Sequence, residues 1–168
     1  MYSSERLGDH HRVDAFSCGN AILDRWLRSA ALTSDRKDVS RTYVWAGSSD
    51  TVWAYFALSP DVLYRDGLPK SLAHGDPDRI PAVLIGKLAL HTELQGGGRH
   101  LGSQLLVDAV ARAVAAVEAA GGRYIVVDAI GDDVLAFYEH HGFRRLPPPA
   151  DHRLVIRSAD ARRSLEDR

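Results

Sequence analysis

Ile80-Pro81-Ala82-Val83-Leu84-Ile85-Gly86-Lys87-Leu88-Ala89-Leu90 is followed by Gly96-Gly97-Gly98 and then by Leu101–Ala120. The first part is an apolar run of the kind that forms a buried central strand. Gly86 interrupts it and hints at a bulge. In the last part Leu101, Leu105, Ala109, Ala113 and Val117 recur at i, i+4, the apolar stripe of an amphipathic helix. Gly121-Gly122 stops that helix. A strand, a glycine turn and a helix in this order leave unpaired N–H groups at the helix N-terminus, where the helix dipole also favours anions. Glycine lets the backbone approach such a ligand closely. The pattern suggests a phosphorylated cofactor. A glycine-rich connection without a ligand is the plain alternative.

The flanking segments complete the layout. Asn20 can cap a helix running to about Asp35, with Leu23, Leu27, Ala30 and Ala31 on one stripe. Arg41–Ala46 and Val52–Leu58 read as strands joined by the turn Gly47-Ser48-Ser49-Asp50. Ser59–Arg79, rich in Gly, Pro and Asp, reads as a long connection. Asp108 and Arg112 can pair on the outer face of the long helix. Beyond it, Tyr124–Ile130 reads as a second buried strand and Asp132–His141 as a short helix ended by Gly142. Phe143–Leu146 and Arg153–Arg157 can pair around the prolines at 147 to 149. From Ser158 the chain is charged and reads as a frayed tail. The expected fold class is α/β, a mixed sheet covered by helices, with a single domain over 1–157 and a charged tail over 158–168.

Composition narrows the classes. A chain of 168 residues suits one domain, and at that size roughly 70% of the unfolded surface can be buried. The single cysteine, Cys18, excludes an internal disulfide and gives no zinc cluster. No apolar run approaches the ~20 residues that would span a bilayer. Met1–His11 is polar and lacks the apolar stretch of a secretory signal, so a cytoplasmic protein is expected. A net charge of −1 gives no support for nucleic-acid binding by the chain as a whole, which leaves room for a local basic face.

Three phosphate-binding patterns compete for the glycine turn. Gly97, Gly102 and Ser103 have the spacing of a P-loop, but its lysine is missing. The dinucleotide pattern places glycines at 96, 98 and 101, and position 101 is Leu; Asp128, at the end of the next strand, could still imitate the ribose-binding acid. The third is the pyrophosphate loop Gln/Arg-x-x-Gly-x-Gly/Ala.

The third pattern gains from its surroundings. Gly86–His91, Gln95–Gly102 leading into Leu105-Leu106, Val127-Asp128-Ala129, and Ala136-Phe137-Tyr138-Glu139-His140-His141-Gly142-Phe143 together resemble the GNAT superfamily of N-acetyltransferases. Phe16-Ser17-Cys18-Gly19 with Leu23-Asp24-Arg25-Trp26-Leu27, and Ser40-Arg41-Thr42-Tyr43-Val44, resemble the GNAT toxins of bacterial toxin–antitoxin systems. The likeness covers about residues 10 to 157. One feature departs from it. The toxin loop commonly reads Gln-Gly-x-Gly-Leu-Gly, and here Gln95–Gly102 is two residues longer. Aligned from the helix side, His100 falls where a glycine is expected.

The resemblance implies an acyl-CoA N-acyltransferase fold, with a splayed central strand and a pyrophosphate-binding turn before the long helix. It implies acetyl transfer from acetyl-CoA to a primary amine. Backbone N–H groups of Leu88, Ala89 and Leu90 would face the developing oxyanion. Gln95, Gly96, Gly97, Gly98, Arg99, His100, Leu101, Gly102 and Ser103 would form the diphosphate turn. Tyr138 would protonate the departing thiolate; outside the family context, Phe137 and Tyr138 read as core aromatics. The resemblance further implies the α-amino group of an aminoacyl-tRNA as acceptor, a ribbon-helix-helix antitoxin as partner, and a homodimer.

Arg25, Arg28, Arg36, Lys37, Arg41, Arg144, Arg145 and Arg153 are candidates for the basic surface a tRNA needs. Asp24, Asp35 and Asp38 interleave the first of them, and a charge-mixed solvated face is the equal alternative. An acetyltransferase of a small-molecule or protein amine, and a CoA- or nucleotide-binding module without turnover, also stay open. No metal is expected: His10-His11 and His140-His141 read as surface pairs. His91 reads as a solvated strand end that could also help deprotonate the amine. Cys18 reads as a small buried residue and not a nucleophile.

Overall fold

In the computed structural model, which describes residues 2–168, seven strands form one sheet in the order β1 (Glu5–Arg6), β2 (Arg41–Ala46), β3 (Val52–Tyr64), β4 (Arg79–Leu90), β5 (Tyr124–Asp128), β7 (Arg153–Arg157), β6 (Arg144–Arg145). The chain divides into two units, Met1–Ser59 with Lys87–Ala109, and Pro60–Gly86 with Val110–Arg168.

In the first unit, Asn20 caps α1 (Ala21–Ser29), its side chain accepting from the amides of Ile22 and Leu23. The helix expected to reach Asp35 is interrupted. Ala30 leaves helical geometry (φ −126°), and α2 (Ala31–Arg36) begins after it. β2 (Arg41–Ala46) pairs antiparallel with the first part of β3 (Val52–Tyr64), from Arg41↔Leu58 to Ala46↔Val52. A two-residue strand, β1 (Glu5–Arg6), adds to the other side of β2 and carries no sequence signal of its own. Of the expected helix stripe, Leu23, Leu27 and Ala31 are buried against Phe16, Val44 and Tyr55, while Ala30 is half-buried at the break. Buried Asp35 accepts from the Thr42 amide at 3.1 Å and pairs with Arg6 and Arg41, which ties α2 to β2.

The second unit holds the end of β3, which continues to Tyr64 through Pro60, where the sequence suggested a loop from Ser59. Leu63, 4% exposed, draws that extension into the core. A 3-10 turn (Arg65–Gly67) and α3 (Lys70–Ala73) fill the rest of the connection. β4 (Arg79–Leu90) pairs parallel with β5 (Tyr124–Asp128) from Ala82↔Tyr124 to Ile85↔Val127. The register ends there, one residue before Gly86. A parallel pair needs a long crossover, and α4 (Leu101–Ala120) supplies it. All five residues of its expected stripe, Leu101, Leu105, Ala109, Ala113 and Val117, are buried.

α5 (Asp132–His140) follows β5. β7 (Arg153–Arg157) pairs antiparallel with both β5 and the short β6 (Arg144–Arg145). The segment from Ser158, read as a frayed tail, is instead helix α6 (Ser158–Glu166). The Ser158 hydroxyl donates to the Gly122 carbonyl at 2.9 Å, Ala161 is fully buried, and Arg162 pairs with Glu118. The charged residues cover one face while the small ones dock. Asp108 also departs from its expected place on an outer face. It accepts from the Ser4 hydroxyl at 2.8 Å and from the Trp45 indole at 2.8 Å.

Candidate active site

β4 leaves its ladder with β5 at Ile85 and ends at Leu90. His91 then caps a 3-10 turn, Thr92–Leu94, its Nδ1 accepting from the Glu93 amide at 3.1 Å. Gly96, Gly97 and Gly98 follow with φ of +71°, +70° and +69°. Three consecutive left-handed residues are sterically costly for any residue but glycine, so the run is a requirement of the backbone path. His100 also lies in the left-handed region, at φ +52°. It takes the conformation of the glycine expected there from the helix-side alignment. The amides of Leu101, Gly102 and Ser103 open α4 and have no partner within the helix.

The strained His100 makes a stability prediction. A non-glycine residue in the left-handed region costs roughly 1–2 kcal/mol, and a β-branched one is worse placed than His. His100→Gly should be at least about 1 kcal/mol more stable than His100→Val in urea unfolding, by that same steric cost. Equal midpoints would mean that position 100 does not hold this conformation in solution.

The turn is laced to the loop before α1. The Gln95 side-chain amide donates to the carbonyls of Cys18 at 2.8 Å and Leu90 at 2.7 Å. The Thr92 amide donates to the Ser17 carbonyl at 2.9 Å. His91 Nε2 lies 3.4 Å from the Ala15 carbonyl. With Nδ1 accepting from Glu93, the ring proton of His91 sits on Nε2. Its lone pair is engaged, and the ring stands edge-on to Phe16 and Trp53. This geometry does not offer a base for the incoming amine. The Cys18 thiol is pushed up to about 11, first by burial and then by its hydrogen bond with Asp24. At neutral pH it is a protonated, weak nucleophile.

In the second unit α5 presents Tyr138. Its ring is buried and packs edge-to-face on Phe143 at 5.9 Å. Burial, and then the charge of Asp128, push its phenol up to about 12. Asp128 itself is held by Arg153, whose Nε and Nη2 donate to its two oxygens at 2.9 and 3.1 Å. Arg153 Nη1 also donates to Asp61 at 3.0 Å. The acid that could have imitated a ribose ligand is thus one half of an ion-pair network.

The expected surface histidines divide. His140 is exposed, whereas His141 is half-buried and its Nδ1 meets the Phe137 carbonyl at 2.8 Å. His11 is not a surface residue. Its side chain is fully buried, with Nδ1 accepting from the Gly8 amide at 2.9 Å and Nε2 donating to Glu5 at 2.6 Å. With His10 the group has metal-ligand spacing, yet both nitrogens of His11 are already in hydrogen bonds. Several of the basic candidates have carboxylate partners. Arg36, Arg41, Arg145 and Arg153 pair with carboxylates. Arg28 donates to the Phe16 carbonyl and Arg144 to the Ser71 hydroxyl.

No protein-family model matches the chain. A tRNA-acetylating toxin of Mycobacterium tuberculosis is 36% identical over 162 residues, covering 96% of this chain and 95% of that protein. The chain belongs to the tRNA-acetylating GNAT toxins. Several solved structures share its fold. AtaT complexed with acetyl-methionyl-tRNAfMet superimposes with a TM-score of 0.87 at 25% identity, covering 96% of this chain and 98% of AtaT. A tyrosine-to-phenylalanine mutant of KacT gives a TM-score of 0.87 at 23% identity, over 96% of this chain and 97% of KacT. AtaTR bound with acetyl-CoA gives 0.81 at 23% identity, over 95% of each chain. Among the described residues no helix of this toxin is long and apolar enough to cross a membrane.

Proposed function

We propose that this chain transfers the acetyl group of acetyl-CoA to the α-amino group of an aminoacyl-tRNA and thereby blocks translation. The observation that carries the acyl-CoA half is the left-handed glycine run delivering the chain into the N-terminus of α4. That turn suits a diphosphate, which needs converging N–H donors and a favourable dipole. Gly96, Gly97, Gly98, Arg99, His100, Leu101, Gly102 and Ser103 form it, and Gln95 supports it from behind. The acceptor half rests on the activity named for the 36% identical relative.

The reaction is the one the GNAT resemblance implies, with Leu88–Leu90 and Tyr138 in the roles it assigns them. The neutral amine attacks the thioester carbonyl carbon. The carbonyl π electrons move to oxygen, and backbone amides of Leu88–Leu90 stabilise the oxyanion. The oxyanion collapses, the C–S bond breaks, and the thiolate takes the Tyr138 proton. The amine gives its surplus proton to solvent, from which the phenol is reprotonated. A phenol raised to about 12 stays protonated at neutral pH, which suits an acid and not a base. The protein acts in the cytoplasm as a homodimer, restrained by a ribbon-helix-helix antitoxin. AtaT is known bound to the C-terminus of its antitoxin AtaR.

The test supplies acetyl-labelled acetyl-CoA with charged tRNA, polyamines and a protein mixture. Label should appear on the aminoacyl group, stoichiometric with CoA release. Label on the polyamine or protein alone would replace the acceptor, and no CoA release would overturn the reading.

A further inference from the structure

We propose that Gln95 is a positioning residue, an amide staple that holds the acetyl-CoA turn in its binding shape and does not itself touch the diphosphate; this rests on the reading of that turn as the acetyl-CoA site. A primary amide nitrogen carries two donor hydrogens. In Gln95 both have acceptors, the Leu90 carbonyl at 2.7 Å and the Cys18 carbonyl at 2.8 Å. Its main-chain amide donates to the Thr92 carbonyl at 3.1 Å. Every N–H of this residue therefore points into the protein, and the remaining side-chain oxygen would repel a phosphate.

The two acceptors explain what the staple holds. The peptide linking Leu90 to His91 is gripped at both ends, its oxygen by Gln95 and its nitrogen by the Trp53 carbonyl at 2.8 Å. That peptide closes β4 immediately after the amides assigned to the oxyanion. The Cys18 carbonyl belongs to the loop that starts α1, where the Cys18 amide donates to Asp24 at 2.9 Å. One exposed side chain thus joins the strand end, the α1 loop and the turn. Downstream lie three glycines, the residues that lose most conformational freedom on ordering. Without the staple, acetyl-CoA must order them itself, and that cost falls on its binding.

The test measures the free protein as well as its kinetics. Gln95→Glu keeps the shape but places a carboxylate against two carbonyls. Gln95→Arg restores a side chain with donors only. In Gln95→Glu, hydrogen exchange of the Thr92 and Cys18 amides in the unliganded protein should accelerate at least tenfold, while the β2–β3 ladder amides stay unchanged. The KM for acetyl-CoA should rise about tenfold with kcat within threefold, and Gln95→Arg should return the exchange rates to wild-type values. A raised KM with unchanged exchange would mean a direct contact with the cofactor and would overturn the proposal. So would faster exchange with an unchanged KM, or no change in either. If the wild-type protein lacked turnover, the functional reading would fail separately, and the exchange rates with calorimetric CoA binding would still decide the role of Gln95.

Discussion

Tyr138→Phe is expected to lower kcat for acetyl transfer by about 10²–10⁴, the usual contribution of a positioned general acid. The change removes one oxygen from a ring packed against Phe137 and Phe143 and leaves that packing in place. Folding stability should therefore move by less than about 1 kcal/mol, well below the cost of truncating a core aromatic, and a thermal melt separates the two effects. The sign of the pH dependence follows from the raised phenol. In the proposed mechanism its acid form is the active one, and with burial holding it up to about 12 the proton is retained through neutral and mildly alkaline pH. The rate should rise with pH as the acceptor amine deprotonates, with no fall from Tyr138 below about pH 11. A Tyr138→Phe enzyme within threefold of wild type would remove the residue from the chemistry.

Gly98→Val should weaken acetyl-CoA binding by about 5- to 150-fold, read as KM or as a calorimetric Kd. Position 98 sits at φ +69°, where a β-branched residue is a conformational outlier costing on the order of 1–3 kcal/mol. A Cβ there would meet nothing within 4 Å, so the loss is one of backbone shape and not of collision. Gly67→Ala is the matching control. It too has open space around it, lies outside the turn and needs no positive φ; it should leave KM unchanged. A Gly98→Val protein with wild-type affinity would show that the diphosphate does not use this conformation.

Whether each feature could be read beforehand depends on where its cause lies along the chain. The break at Ala30 had no local marker, because alanine is the best helix former and only packing decides that α2 starts afresh. The strand β1 is two residues long and exists by virtue of its neighbour β2. α6 looked like tail because its composition is charged, while its docking relies on a serine and an alanine. Histidine at 100 signalled the opposite of what it does, since only the path of the backbone reveals that it fills a glycine's conformation.

Periodicity and residue chemistry along the chain were enough to determine the central strand, the glycine turn, α4 with its buried stripe, and Tyr138 on a short helix. Each of these is local, set by a repeat of 3.6, by an apolar run, or by residues that alone tolerate a given φ. Folding in three dimensions decided the partners: Gln95 to Cys18, 77 residues away, Asp108 to Ser4 and Trp45, and Asp128 to Arg153. A polar side chain can bond any partner of the right kind, and nothing in its neighbouring residues says which one. That choice belongs to the packing that brings distant segments within 3 Å or so of each other, the reach of a hydrogen bond.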